Sequence, residues 1–520
     1  MQVSRDTLWV RIGQRRWVLA GAAAVFVGVF VFFASVHSMV PFSGDDWRYL
    51  SEDRRLPLPL PFTWNPTRVL PEIVMPLAGR VAAFVVAPLT GDYLSAAGLT
   101  TAVLLAGLTA GLYVSLYRLF LTLHNHQAVC ALLGVLTIGL FFALLKRQPT
   151  GNPFLFHSPD LCSLFFYAVP NLMNSILLCV FFRWFVLRRE VSVTRVEVSS
   201  ALWLTVLYLG IFSMQFSAMF LTIALVFLAV FRFTSSPRLE VAGQAVGQDG
   251  GWKRLWCDTW SGCNVSVLAA AGMAVALVFE LTGGRAHDPR LNKFSDSISS
   301  DLYLTRMGLS FDNMGVLLLG MNPFMAVLVF GLVVLAAGLY LRRRKQVGRG
   351  PGMVLAKVCA VSALLLIPYY MLVAAWSHPW LIRADVMYGF FFLVILLSAL
   401  SGLYVLRHVR VAKWFLPLAV LTVLVTATNS RWTLADPFAQ GQRETMNASL
   451  RQIMAADRDG ETTVTLPALP FMADWTQSVD EWSQLLSRTL YLHHVTSREM
   501  TIVVSRPEGE HGPLRPGQRE

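Results

Sequence analysis

The chain has 520 residues, of which 55% are hydrophobic and 14% charged, with a net charge of +12 and a mean hydropathy of +0.55. A soluble globular chain carries about 25% charged residues, so this composition excludes an ordinary soluble domain. The basic residues sit in short clusters between apolar blocks, which is a membrane-topology pattern rather than a nucleic-acid footprint, and no nucleic-acid partner is expected.

In chain order, a basic start (Arg5, Arg11, Arg15, Arg16) precedes an apolar block at 17–37. That block is too long for a signal-peptide core and no cleavage site follows, so it reads as an uncleaved first helix. The segment 38–93 opens with Pro41-Phe42-Ser43-Gly44-Asp45-Asp46-Trp47 and continues through a Pro-rich patch from Leu56 to Pro61. Its last part, Thr67 to Leu89, is only moderately apolar and carries Arg68, Glu72 and Arg80. It is expected to lie along the interface or dip partly in, not to span. Further apolar blocks fall at 94–117, 128–145, 169–187, 199–215, 217–232, 264–281, 315–341, 354–375, 386–406 and 412–428. Blocks of this length cross ~30 Å of hydrocarbon as helices, because lipid forces the backbone to satisfy its own hydrogen bonds. The fifth and sixth, parted only by Gln215-Phe216-Ser217, would form a tight hairpin. The alternation of an outer-membrane barrel is absent.

The expected fold is therefore an all-α polytopic membrane protein with about eleven transmembrane helices, residues 1–428, followed by a small α/β unit, residues 429–520. A cytoplasmic N-terminus places Arg188-Arg189, Lys253-Arg254 and Arg342-Arg343-Arg344-Lys345 inside, in keeping with the positive-inside rule. An odd helix count then leaves the tail outside, which in a bacterial inner membrane is the periplasm. A second long outside loop, Thr282 to Met314, is polar. In the tail, Glu444 to Ala456 reads as a helix, Thr462 to Leu466 and Met500 to Val504 as strands. Val479 to His493 reads as an amphipathic helix with Trp482, Leu485, Leu486 and Leu490 on one face. The last dozen residues, polar and rich in Gly and Pro, read as disordered. The six cysteines (Cys130, Cys162, Cys179, Cys257, Cys263, Cys359) show neither paired metal spacing nor a disulfide framework.

Four constellations could carry chemistry. The pair Asp45-Asp46 follows the first helix at the outer boundary, where partial desolvation raises carboxylate basicity. Either residue could serve as a general base, or the pair could hold a divalent metal, and a plain solvated loop is the competing reading. Asp45, nearer the first helix, is expected to be the more desolvated of the two. The second constellation is basic: Arg68 and Arg80 in the first loop, Lys146 and Arg147 after the third block, and Arg383 after the ninth. Arginine forks suit a phosphate, though lipid-headgroup anchoring explains them as well. Third, the turn from Trp376 to Tyr388 concentrates His378, Arg383, Asp385 and aromatics at a helix mouth, with Trp376 and Trp380 assigned to an aromatic belt. Fourth, His157, Asp160, Tyr167, Asn171 and Asn174 cluster at the start of a helix. Asn171 and Asn174 share a face there, for a sugar or for inter-helix hydrogen bonds.

The layout resembles the GT-C superfamily of membrane glycosyltransferases, over nearly the whole chain. The likeness rests on Gly44-Asp45-Asp46-Trp47 directly after the first helix, a long first outside loop with Thr67 to Leu89, the basic-aromatic turn His378 to Tyr388, and an extracytoplasmic C-terminal unit. It is nearest in plan to bacterial members that decorate O-antigen or other envelope glycans. The resemblance implies transfer of a sugar from a polyprenyl-phosphate donor to a glycan or lipid acceptor. Asp45 or Asp46 would be the base, and Arg383 would hold the donor phosphate, assisted by Arg68, Lys146 and Arg147. Trp47, Glu72, His157, Asp160, Asn171, Asn174, His378, Asp385 and Tyr388 would line the substrates. No metal-binding acidic set aligns, so metal dependence stays open. A glycan polymerase or ligase, and a lipid-linked-sugar transporter or flippase, are the alternatives. The transporter would call for internal repeats, and none is seen.

Overall fold

The computed structural model describes residues 5–54, 56–60, 63, 65–145, 155–156, 160–184, 193–235, 251–282, 300–343, 351–376, 383–409, 412–431, 437–467 and 478–505. Helix α1 (Arg5–Val31) continues through a π-helical turn to Val36, and α2 is the short helix Gly44–Ser51. They are followed by α3 (Val69–Thr90), α4 (Tyr93–Leu123), α5 (Gln127–Ala143), α6 (Leu161–Phe182), α7 (Val193–Ile211), α8 (Gln215–Ser235) and α9 (Gly251–Thr282). Then come α10 (Ser300–Leu319), α11 (Pro323–Arg343), α12 (Pro351–Trp376), α13 (Tyr388–His408), α14 (Ala412–Arg431) and α15 (Pro437–Arg458). The chain closes with β1 (Thr463–Leu466), α16 (Val479–Leu492) and β2 (Thr501–Val504).

This is a multi-pass membrane protein by helix length and hydropathy. Among the described residues seven helices are long and apolar enough to span: α1, α3, α4, α6, α11, α12 and α13. Six of the eleven expected blocks coincide with these spans, and two points differ from the expectation. The other five predicted blocks fall in α5, α7, α8, α9 and α14, helices of 17, 19, 21, 32 and 20 residues, whose apolar stretches among the described residues run to 10–17 residues. The block 128–145 gives the shortest of the five helices. Its helix ends at Ala143, and Leu145 leaves it to bridge Met321, so 17 residues rise only roughly 25 Å. Apolar composition ran past the helix end. The second correction concerns Thr67 to Leu89. It is one continuous helix from Val69 to Thr90, interrupted only by a π-turn at Ala82–Val86, and it meets the span criteria. Part of its charge is matched locally, since Glu72 pairs with Arg54 and Arg80 with Asp53.

α6 and α13 are the most enclosed spans, with 83% of each apolar window buried, against 17% in α11, which has a largely exposed surface of the kind lipid covers. Around them α1 packs on α4, α4 on α6, α8 on α6, α9 and α12, and α13 on α11 and α12. Local sequence sets the helix ends. Gly91 takes φ 70°, a left-handed cap that ends α3 without a Cβ clash, and the Asp92 side chain then accepts from Leu94 and Ser95 N–H groups to start α4. Asp160 caps α6 in the same way through Ser163 N–H, and Ser478 caps α16 through Glu481 N–H.

The tail follows its expectation closely. β1 and β2 pair in parallel with Thr463 opposite Thr501 and Leu466 opposite Val504. Trp482, Leu486 and Leu490 of α16 are buried in a core with Met446, Ile453, Leu466 and Ile502. That core is continuous with Phe42 and Trp47, so α16 docks on α2. The final dozen residues lie outside the described set.

Candidate functional site

The acidic pair is resolved into two unlike residues by a capping box. Ser43 Oγ accepts from Asp46 N–H at 3.0 Å, and Asp46 Oδ2 accepts from the Phe42 and Ser43 N–H groups, each at 3.0 Å. Asp46 Oδ1 accepts from Cys162 N–H at 2.5 Å, which ties α2 to the first turn of α6. Asp46 is fully buried, and both oxygens are committed to the backbone. Burial and the neighbouring Asp160 push its carboxyl upward, and the three N–H donors pull the other way. Asp45 is the half-buried one, the reverse of the expected order of desolvation. Ser43 lies three residues before Asp46, a spacing that could have marked Asp46 as the capping partner.

Asp45 acts electrostatically on Arg48, Tyr49 and Asp160, which places it beside the mouth of α6. Asp160 is buried, and burial raises its carboxyl while Arg383 lowers it. Behind it stands a short π-helical stretch of α6, Leu164–Ala168. A π-turn inserts one extra residue and re-aims side chains, and such turns are frequent at functional sites. Here it presents Phe166 and Tyr167 to two guanidinium groups. Arg68 lies 5.2 Å from the Phe166 ring centre and Arg383 lies 4.8 Å from that of Tyr167.

The two arginines differ in engagement. Arg383 makes a bidentate pair with Asp385, at 3.0 Å from Nε to Oδ1 and 2.5 Å from Nη2 to Oδ2. Burial works against the cation, yet Asp385, Tyr167 and Asp160 hold its pKa above the ordinary arginine value. Arg68 is buried at the start of α3, and its Nε has no hydrogen-bond partner among the described residues. Glu280, Tyr49, Tyr167 and Glu72 surround it electrostatically. Glu280 accepts from Thr67 Oγ1 at 2.7 Å, and Glu72 is paired with Arg54. Arg54 also donates to the carbonyls of Leu56, Leu58, Asn65 and Pro66, so it folds the Pro-rich patch back onto α3. Tyr49 accepts from Asn65 Nδ2 at 3.0 Å and packs on Phe166.

The structure thus brings Asp45, Asp46, Arg68, Glu72, Asp160, Arg383 and Asp385 into one polar cluster at the meeting point of α2, α3, α6 and the segment before α13. Four other predicted residues stand elsewhere. Trp47 is fully buried among Phe42, Trp482 and Leu486 in the tail core. Asn174 holds helices together, donating to the Gly210 and Ser217 carbonyls. Asn171 donates to the Asp385 carbonyl at 3.0 Å and so positions the Arg383 turn from behind. Tyr388 is enclosed by Phe141, Phe156, Phe220 and Phe392, and its hydroxyl accepts from Ser175 Oγ. Lys146, Arg147, His157 and His378 lie outside the described residues. Sequence reading missed Arg54, Glu280, Tyr49 and Phe166. No local motif announces them, since each reaches the cluster through tertiary packing.

As for a divalent metal, no three His, Cys, Asp or Glu side chains converge as a ligand set among the described residues. Asp46, the most buried carboxylate, has its oxygens facing N–H donors. The arrangement holds one half-buried carboxylate, Asp45, that shares the neighbours Tyr49 and Asp160 with the aromatic-backed cations Arg68 and Arg383. Comparison with protein families, with characterised proteins and with solved structures found no match to this chain.

Proposed function

We propose that the chain is a glycosyltransferase that moves a sugar from a polyprenyl-phosphate donor to an envelope glycan or lipid acceptor. It would act at the extracytoplasmic face of a bacterial inner membrane, with the N-terminus cytoplasmic and the tail periplasmic. The observation that carries this reading is the half-buried Asp45 carboxylate at the head of α2, in the same cluster as the Arg68 and Arg383 guanidiniums.

A polyprenyl-phosphate sugar cannot leave the bilayer, so its reactive carbon stays at the interface. Asp45 is the base. As the acceptor oxygen bonds to the anomeric carbon, its proton passes to the Asp45 carboxylate. The bond from that carbon to the donor phosphate oxygen breaks, and its electron pair stays on the leaving polyprenyl phosphate. Arg68 and Arg383 stabilise the charge gathering there, as cations do best in a site from which water is excluded. Asp385 and Asn171 orient Arg383, and Asp160 caps the first turn of α6 within electrostatic reach of Arg383. Asp46 holds α2 in place and takes no part in proton transfer. Glu72 and Arg54 shape the loop over α3.

The test uses the full chain in nanodiscs with a radiolabelled polyprenyl-phosphate sugar pool and envelope glycan acceptor. Asp45→Asn is expected to keep donor binding and lose transfer by ~10²-fold or more. Transfer at the wild-type rate in this variant would remove the base assignment. Donor movement between leaflets without any transfer would favour the flippase alternative.

A further inference from the structure

The helix that carries Asp45 cannot hold its own position. Eight residues are too few for a stable isolated helix, and the Asp46 bond to Cys162 N–H fixes only its N-terminal end. Tyr49 adds a bond from Asn65 Nδ2 and packing on Phe166, and further ties come from the C-terminal unit. Trp482 Nε1 donates to the Phe42 carbonyl at 2.7 Å, just before the helix begins. Thr489 Oγ1 donates to the Trp47 carbonyl at 2.5 Å and lies 2.9 Å from Ser51 Oγ, near the helix end. Trp482 and Thr489 are both buried on α16, and Trp47 fills the space between α16 and α2. Arg443 of α15 adds a bond to Ser38 Oγ at the end of α1 and another to Ser95 Oγ at the start of α4.

Resting on the reading of Asp45 as the base, we infer that Trp482 and Thr489 are positioning residues. They tie α2 through the Phe42 and Trp47 carbonyls and Ser51, while Asp46 and Tyr49 meet α6, so that the C-terminal unit sets the location of Asp45 relative to Arg68 and Arg383. A base displaced by about 1 Å from its productive geometry loses on the order of tenfold to a hundredfold in rate. Small losses in these two ties therefore reach the chemistry without touching substrate.

Thr489→Val keeps the side-chain shape and removes both hydroxyl contacts, and Trp482→Phe removes the indole N–H while keeping an aromatic ring. Each is made in the full chain in nanodiscs beside Thr489→Ser, which restores a hydroxyl. Two readouts are taken: amide hydrogen exchange over residues 44–52, and transfer kinetics with the polyprenyl-phosphate donor. The expected result is faster exchange over 44–52 with exchange in α4 and α13 unchanged. It comes with a roughly tenfold lower kcat, a donor KM within about twofold of wild type, and recovery in Thr489→Ser. Unchanged exchange over 44–52 overturns the inference, as does faster exchange with an unchanged kcat. If Thr489→Val fails to fold, Trp482→Phe decides. If the wild-type chain transfers no sugar at all, the glycosyltransferase reading falls, and exchange over 44–52 alone decides whether α16 holds α2.

Discussion

Replacing each half of the acidic pair separates a residue that builds the site from one proposed to act in it. In Asp46→Asn, the amide oxygen can keep the Phe42 and Ser43 N–H bonds in place of Oδ2. Its Nδ2 then faces Cys162 N–H, donor against donor, where Oδ1 accepted at 2.5 Å. One buried N–H left without an acceptor costs about 1–3 kcal/mol. Asp46→Ala strips all three N–H groups and half of the capping box, for a loss on the order of 3–5 kcal/mol. Asp45→Asn removes a half-buried charge in the first turn of α2, worth about 0.3–1 kcal/mol to the helix. Thermal unfolding of the full chain in nanodiscs reads the order directly: Asp46→Ala least stable, Asp46→Asn next, Asp45→Asn close to wild type. Finding Asp46→Asn as stable as wild type, or Asp45→Asn the weaker of the two, would refute the assignment of Asp46 to structure and Asp45 to chemistry. The same order warns that an inactive Asp46 variant is no evidence of catalysis, because its loss of activity is expected from loss of fold.

Two further outcomes follow from single groups. His493, at the end of α16, is buried, with Nδ1 2.6 Å from Tyr93 Oη, and burial, then Arg80 and His494, push its pKa down to about 4. A base with a depressed folded pKa contributes stability above its ordinary value near 6.5 and loses it as pH falls towards 4, by up to about 3 kcal/mol. Protection factors of α16 amides, corrected for the intrinsic pH dependence of exchange, should therefore fall between pH 7.5 and pH 5 in wild type and much less in His493→Asn; equal responses would contradict it. At Gly210, an added Cβ would lie 2.5 Å from Asn174 Oδ1, whereas at Gly308 it meets nothing within 4 Å. Gly210→Ala is expected to lower stability by about 1–3 kcal/mol in thermal unfolding and Gly308→Ala not to, since only the first crowds a packed inter-helix contact.

Composition and block length were enough to read a multi-pass helical membrane protein, because lipid leaves the backbone few choices. The tail was legible almost residue by residue, since an amphipathic period and β-branched runs are local signals: Trp482, Leu486 and Leu490 are buried as their spacing required. The four chemical constellations were also visible as residue types near predicted helix ends. What local pattern could not decide was helix length where apolar residues continue past the last turn, as at Leu144 and Leu145. It could not decide whether Val69 to Thr90 spans, because Arg54 and Asp53, which match its charges, stand apart from it in sequence. Nor could it say which aspartate is committed. That depends on Cys162 N–H, 116 residues further on, meeting Asp46 across the α2–α6 contact. Neighbouring residues on a helix point in different directions, so the packing of α6 and α16 against α2 buries Asp46 and Trp47 and leaves Asp45 half open. The identity of the residues was local information; the phase of a short helix between two long-range partners is a property of the tertiary structure alone.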